Sequence, residues 1–99
     1  MNYFMQAKIW NNRYWINETD PEKLYKHYKD ILLQAGFTII EETEHFFQPF
    51  GYTALFLIAE SHFAIHTFPE HIKTYIELSS CNEKKQIEFM KLDNWNKNK

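Results

Sequence analysis

Residues 52–70 read YTALFLIAESHFAIHTFPE, and this stretch decides the architecture. Tyr52–Ala59 is apolar at almost every position and reads as a strand with two apolar faces. Residues 62–68 read as the next strand, with Phe63 and Ile65 on one face and His62, Ala64 and His66 on the other; Pro69 ends it. Glu60 and Ser61 fall at the turn between the two. Residues 59–70 hold two histidines, two glutamates and a serine. A polar cluster that starts where a buried strand stops can set reactive groups against a dry wall. A central antiparallel strand that is apolar on both faces needs cover on both sides. Helices of so short a chain can cover one side only, which leaves the other for a second sheet, and a partner chain is one source of it.

Working outward, Phe37–Phe47 reads as a strand with Phe37, Ile39 and Glu41 on one side and Thr38, Ile40 and Glu42 on the other. Gln48-Pro49-Phe50-Gly51 is a turn. Residues 73–80 (KTYIELSS) give a further strand in which Tyr75 points opposite to Ile76 and Leu78. Residues 3–16 read as two short strands hinged at Asn11-Asn12, since asparagine pairs suit hairpin turns. Between these lies a helix. Asp20 can cap it with Pro21 at its first position, or Thr19 and Glu22 can form a capping box. Leu24, Tyr28, Ile31, Leu32 and Ala35 make its apolar stripe, Lys23, Lys26 and Asp30 face water, and Gly36 stops it. Asn82–Leu92 reads as a second helix with Ile87, Phe89 and Met90 inward, and Asn94–Lys99 as a frayed end. The sum is an α+β fold in a single domain, residues 1–99. It is a two-layer α/β sandwich, an antiparallel sheet with one or two helices on one face.

Ninety-nine residues can bury about 65% of their unfolded surface, enough for a real core. A net charge of −2 without a basic tract argues against nucleic acid or an anionic membrane surface as partner. No apolar run approaches a membrane span. One cysteine, Cys81, cannot form an internal disulfide, and a reduced, cytoplasmic setting fits it best. No CxxC offers itself to zinc, so no metal is expected. Aromatics make up 18% of the chain, enough to fill the core and also to line a pocket or a subunit interface.

Taken singly, a serine at a turn, a histidine in a strand or a lone cysteine is usually structural. Together they form a longer pattern: Gly51-Tyr52-Thr53-Ala54, Glu60-Ser61-His62, His66-Thr67-Phe68-Pro69-Glu70 and Cys81. From about Gly36 through Cys81 this pattern resembles, without a gap, the processing-site signature of the bacterial and archaeal S-adenosylmethionine decarboxylases. Phe68 stands where that family has Trp, and Asn82 where it has Gly. The resemblance implies a proenzyme that cuts itself at Glu60-Ser61 and turns Ser61 into a pyruvoyl cofactor. Ser61 would attack the Glu60 carbonyl, Thr53 would hydrogen-bond the tetrahedral intermediate, and His66 would take the proton during elimination, a task suited to histidine. The pyruvoyl carbonyl would condense with the amine of S-adenosylmethionine and act as electron sink, with Cys81 returning a proton to the α-carbon. Phe47 would stack on adenine, Phe68 would offer a further aromatic surface, and Glu70 would hold the ribose hydroxyls. The product would serve polyamine synthesis.

Geometry adds a condition. Five residues of strand put Ser61 and His66 about 16 Å apart and on opposite faces. Either the strand is broken or His66 comes from a second chain. The family resemblance implies a homodimer with sheets face to face, in which Ser61 and Cys81 of one protomer meet Phe47, Thr53, His66 and Glu70 of the other. Two other readings stay open: a pyruvoyl decarboxylase acting on another amino acid, and an unprocessed homologue that binds or regulates.

Overall fold

The computed structural model describes residues 7–96. Its elements run β1 (Trp10–Ile16), α1 (Pro21–Gln34), β2 (Thr38–Phe46), β3 (Tyr52–Ala59), β4 (Ser61–Phe68), a 3-10 turn at Pro69–His71, β5 (Lys73–Ser80) and α2 (Glu83–Leu92). The strands form one antiparallel sheet in the order β1-β5-β4-β3-β2. Leu24, Tyr28, Ile31 and Leu32 of α1 and Phe89 of α2 share one core with alternate residues of the strands, among them Tyr14, Phe56, Phe63, Ile65, Ile76 and Leu78. Both helices therefore cover the same face, and the fold is the expected α+β two-layer sandwich.

α1 begins as its sequence requires. Asp20 accepts from the Lys23 N–H at 2.9 Å and Pro21 takes the first helical position, so the Asp20 cap is the one that forms. Gly36, at φ +101°, turns the chain out of the helix into β2.

Four expectations are corrected. Asn11 and Asn12 are not a hinge; both lie inside β1, which pairs with β5 from Trp10↔Ser80 to Ile16↔Thr74. Asn11 Nδ2 donates to Glu77 Oε2 at 2.9 Å and to Ser79 Oγ at 2.6 Å, so cross-strand partners override the turn preference of asparagine. The first of the two expected strands falls largely on residues outside those described. In β2 the pairing slips between Ile39 and Glu41, a bulge that removes Ile40 from the ladder. Alternation reverses beyond it. Glu42 and Glu44, not Glu41, join Ile39 on the helical face, where Glu42 accepts from the Tyr25 hydroxyl and pairs with Lys29 at 3.0 Å.

In α2 the inward residues are Gln86 and Phe89, with Met90 half-buried, while Ile87 is 48% exposed. The Gln86 amide finds three partners inside and sets the rotation of the helix. Finally, residues 94–96 are held in place. Trp95 stacks on His27 with ring centroids 3.6 Å apart, and Asn96 is buried.

That last anchoring runs through Asp93, which is fully buried. It accepts from the Tyr14 hydroxyl, the Tyr28 hydroxyl at 2.8 Å, His27 Nε2 at 3.0 Å and the Trp95 N–H at 3.0 Å. Burial pushes the Asp93 carboxyl up, but the hydrogen bonds from His27, Tyr14 and Tyr28 outweigh it and hold it below the usual carboxylate range. A depressed carboxyl contributes stability that is complete above the unfolded value of about 4 and is lost as pH falls through the folded one. Asp93→Asn is expected to lower the unfolding free energy at neutral pH by about 2–3 kcal/mol and to flatten its fall on the acid side. Urea titrations from about pH 7 to about pH 3 check both.

Candidate functional site

β3 and β4 make a hairpin with Glu60 alone between them. Ser61, the first residue of β4, pairs with Ile58 on one side and Ser80 on the other. It is half-buried and stands at φ 156°, a value that side-chain-bearing residues rarely adopt, while Glu60 is exposed. Cys81 follows Ser80 directly and is exposed. Glu60, Ser61 and Cys81 thus share one end of the sheet. Asn82 sits in extended backbone, and its Oδ1 accepts from the Lys85 N–H at 2.9 Å. Nothing there requires a glycine, and the Asn82 side chain caps α2.

The other candidates lie toward the opposite end. Register places Thr53, His66 and Tyr75 side by side on three neighbouring strands. Thr53 Oγ1 is 3.0 Å from His66 Nδ1, and the Tyr75 ring lies at 30° to the imidazole, with centroids 6.1 Å apart. Tyr75 donates to Glu77 Oε1 at 3.0 Å, and the hydrogen bond from Asn11, joined by that of Tyr75, keeps the Glu77 carboxyl below its ordinary range. Phe68 closes β4 with its ring 5.8 Å from Trp15, beside a groove of about 600 Å³ that His71 and Lys73 also line. Glu70 is exposed on the 3-10 turn. Phe47, in the loop after β2, donates its N–H to the Gly51 carbonyl at 2.8 Å and lines a cavity of about 340 Å³ with Phe50, Thr67 and Pro69. Gly51, at φ +119°, makes that return possible.

The candidates therefore gather in two sets that one chain does not bring together. β4 is unbroken from Ser61 to Phe68, so Ser61 does not reach His66 of its own chain. Between the sets lies the sheet face without helices, where Leu55 and Leu57 are 44% and 48% exposed and Phe68 and Trp15 are exposed as well. The second cover expected for β3 is not supplied by the described residues. Among the described residues no group of three or more His, Cys, Asp or Glu side chains is arranged to hold a metal ion, and no helix is long and apolar enough to cross a membrane.

Sequence reasoning missed Tyr75 beside His66, and Ser80 with Gln86 behind Ser61 and Cys81. A signal for Gln86 exists: it stands three and four residues before Phe89 and Met90, on the inward stripe of α2.

A family model described as S-adenosylmethionine decarboxylase matches residues 16–92. An S-adenosylmethionine decarboxylase proenzyme from Geobacillus sp. (strain WCH70) is 40% identical over 62 residues, 63% of this chain and 50% of that protein. One from Thermotoga petrophila is 40% identical over 55 residues, 56% of this chain and 42% of that protein. The chain spans about half the length of these curated relatives. The crystal structure of the adenosylmethionine decarboxylase from Aquifex aeolicus VF5 superposes with a TM-score of 0.70 at 25% identity, over 85% of this chain and 74% of that one.

Thr53→Val keeps the shape of the side chain and removes the hydroxyl. It is expected to release His66 Nδ1, change the imidazole nitrogen chemical shifts of His66 by NMR, and cost about 1 kcal/mol of stability.

Proposed function

Since the chain belongs to the S-adenosylmethionine decarboxylase family, we propose that it is a proenzyme that cuts itself between Glu60 and Ser61, acts as a homodimer and decarboxylates S-adenosylmethionine. One observation carries this reading. Ser61 and Cys81 sit at one end of an unbroken strand pair, Thr53 and His66 toward the other, and an apolar, uncovered sheet face lies between. A second copy laid antiparallel on that face covers Leu55 and Leu57 and brings Thr53 and His66 of one chain to the end of the sheet where Cys81 of the other is exposed, with Ser61, whose register with Ile58 and Ser80 puts it on the helical face, approached at the turn.

The chemistry follows from the groups so assembled. Ser61 Oγ attacks the Glu60 carbonyl carbon, its proton passes to the departing nitrogen, and the amide becomes an ester. The partner's Thr53 hydroxyl, already held by His66, hydrogen-bonds the developing oxyanion. His66 then takes the Ser61 Cα proton, the Cβ–O bond breaks, and Glu60 leaves as a free carboxylate. The dehydroalanine left behind takes up water and loses ammonia.

The turn suits a pyruvoyl group. Glu60 is exposed, so a new carboxylate terminus reaches solvent without unpacking, and residue 61 stays tied by register to the buried Ser80. Once formed, the group supplies a carbonyl that takes up an amine and draws off the electron pair left by carbon dioxide. Cys81, next to it, returns a proton to the substrate α-carbon. Phe47 and Phe68 offer aromatic faces to an adenine and a sulfonium, and Glu70 offers a carboxylate to ribose hydroxyls. The decarboxylated product is an aminopropyl donor for polyamine synthesis.

Intact mass under denaturing conditions, before and after long incubation at neutral pH, tests the first step. Two fragments split at Glu60/Ser61 are expected, the second bearing a pyruvoyl mass; a single species that never cuts would overturn the reading. Composite sites make a second prediction. Ser61→Ala and His66→Ala are each expected to slow cleavage about 100-fold or more alone. Mixing the two restores cutting of the His66→Ala chain, because its Ser61 then meets an intact His66.

A further inference from the structure

Behind Ser61 and Cys81 stands a buried amide that the proposed chemistry does not use. Gln86 of α2 is 2% exposed. Its Oε1 accepts from Ser80 Oγ at 2.7 Å, and its Nε2 donates to the Leu78 carbonyl and to Asn12 Oδ1, both at 2.9 Å. Ser80 is fully buried, and its hydroxyl also accepts from the Asn82 N–H and faces the Asn82 carbonyl, each at 3.3 Å. One hydroxyl thus grips the chain on both sides of Cys81, and the same residue is the β5 partner of Ser61. An apolar side chain would fill this position of α2 without needing three partners. The amide instead spends all its bonding on the end of β5 and the strand beside it.

We infer that Gln86 is a positioning residue, acting through Ser80 to fix where the Cys81 thiol and the Glu60-Ser61 bond sit relative to each other. The inference rests on the self-processing reading above. Gln86 touches neither reacting group. It fastens the Ser80–Asn82 segment to the first turns of α2, which the Asn82 cap and the Phe89 side chain hold in turn against the core. Losing the amide leaves the Ser80 hydroxyl and the Leu78 carbonyl with a buried partner missing, and the segment carrying Cys81 gains freedom.

The test compares Gln86→Met, Ser80→Ala and Ser80→Thr with the unaltered chain. Phe89→Leu is the control that loosens α2 without touching Ser80. All are assayed at one temperature, about 15 °C below the lowest Tm of the set, so that none is appreciably unfolded. The first readout is the alkylation rate of Cys81 by iodoacetamide across pH, which is site-specific because the chain has one cysteine. The second is the self-cleavage rate by intact mass. Gln86→Met and Ser80→Ala are expected to change alkylation about 5-fold or more and to slow cleavage about 10-fold or more. Ser80→Thr, which keeps the hydroxyl, and Phe89→Leu stay within about 2-fold on alkylation. Wild-type alkylation rates in both Gln86→Met and Ser80→Ala would overturn the inference, as would an equal change in Phe89→Leu. If Gln86→Met does not fold, Ser80→Ala decides alone. A wild-type chain that never cuts would defeat the self-processing reading, while alkylation would still decide whether Gln86 positions Cys81.

Discussion

The pairing of β3 with β4 sets the positions of Ser61, Thr53 and His66. Its register is fixed by burial: Tyr52, Ala54, Phe56 and Ile58 of β3 and Phe63 and Ile65 of β4 all point into the helical layer. A slip of one residue would turn both sets outward and leave Thr53, Leu55, His62 and His66 facing the core, an arrangement no helix of this chain could accommodate. With that slip forbidden, His66 stands beside Thr53 and Ser61 begins β4 at the turn. The hydrogen bond between Thr53 and His66 is therefore a by-product of hydrophobic alternation. So is the placing of Cys81, which β5 delivers to the same end as Ser61 through the Ser61↔Ser80 pair.

Around this pairing the chain divides its labour by face. The helical face is closed, with its buried polar groups satisfied among the described residues: Asp93 serves two tyrosines and a histidine, and Gln86 serves the end of β5. The opposite face carries the imidazole of His66, the aromatic cluster of Trp15, Phe68 and Tyr75, and the leucines of β3. It is rigid because a sheet backed by a packed core is rigid, which suits groups that must be held in place for chemistry. Its apolar centre, Leu55 and Leu57, is open to water.

What could be read from the residues alone follows from the range of the forces involved. α1 was legible because its signals are local: Asp20, Pro21, the Leu24–Tyr28–Ile31 stripe and Gly36 lie within one element. The β3–β4 hairpin was legible because its two halves adjoin, and counting outward from the Ile58/Ser61 pair reaches Thr53/His66. The departures came where distant residues decide. Asn11 and Asn12 look like a turn until β5 supplies partners more than sixty residues away. The bulge at Ile40 has no marker in the sequence, yet it reverses the faces of Glu41 and Glu42. Ile87 looks like a core residue until the amide of Gln86 finds a carbonyl inside the fold. The candidate site divides in the same way. Its residue types and spacing are visible along the chain, whereas their separation into two distant sets depends on β4 running straight through from Ser61 to Phe68.

The bulge in β2 has one more consequence. β2 is an edge strand of the sheet, and an edge offers unpaired backbone to any passing strand. Here the ladder is interrupted by the bulge at Ile40 and the strand carries Glu41, Glu42 and Glu44, Glu42 already paired with Lys29, so a second chain arriving edge-on meets an irregular ladder and acidic side chains. Fibre-like growth, strand added to strand, is discouraged at that side. The apolar surface the molecule does expose faces perpendicular to the edge. The counterpart proposed for it would cover that face once and leave no second such face to continue the series.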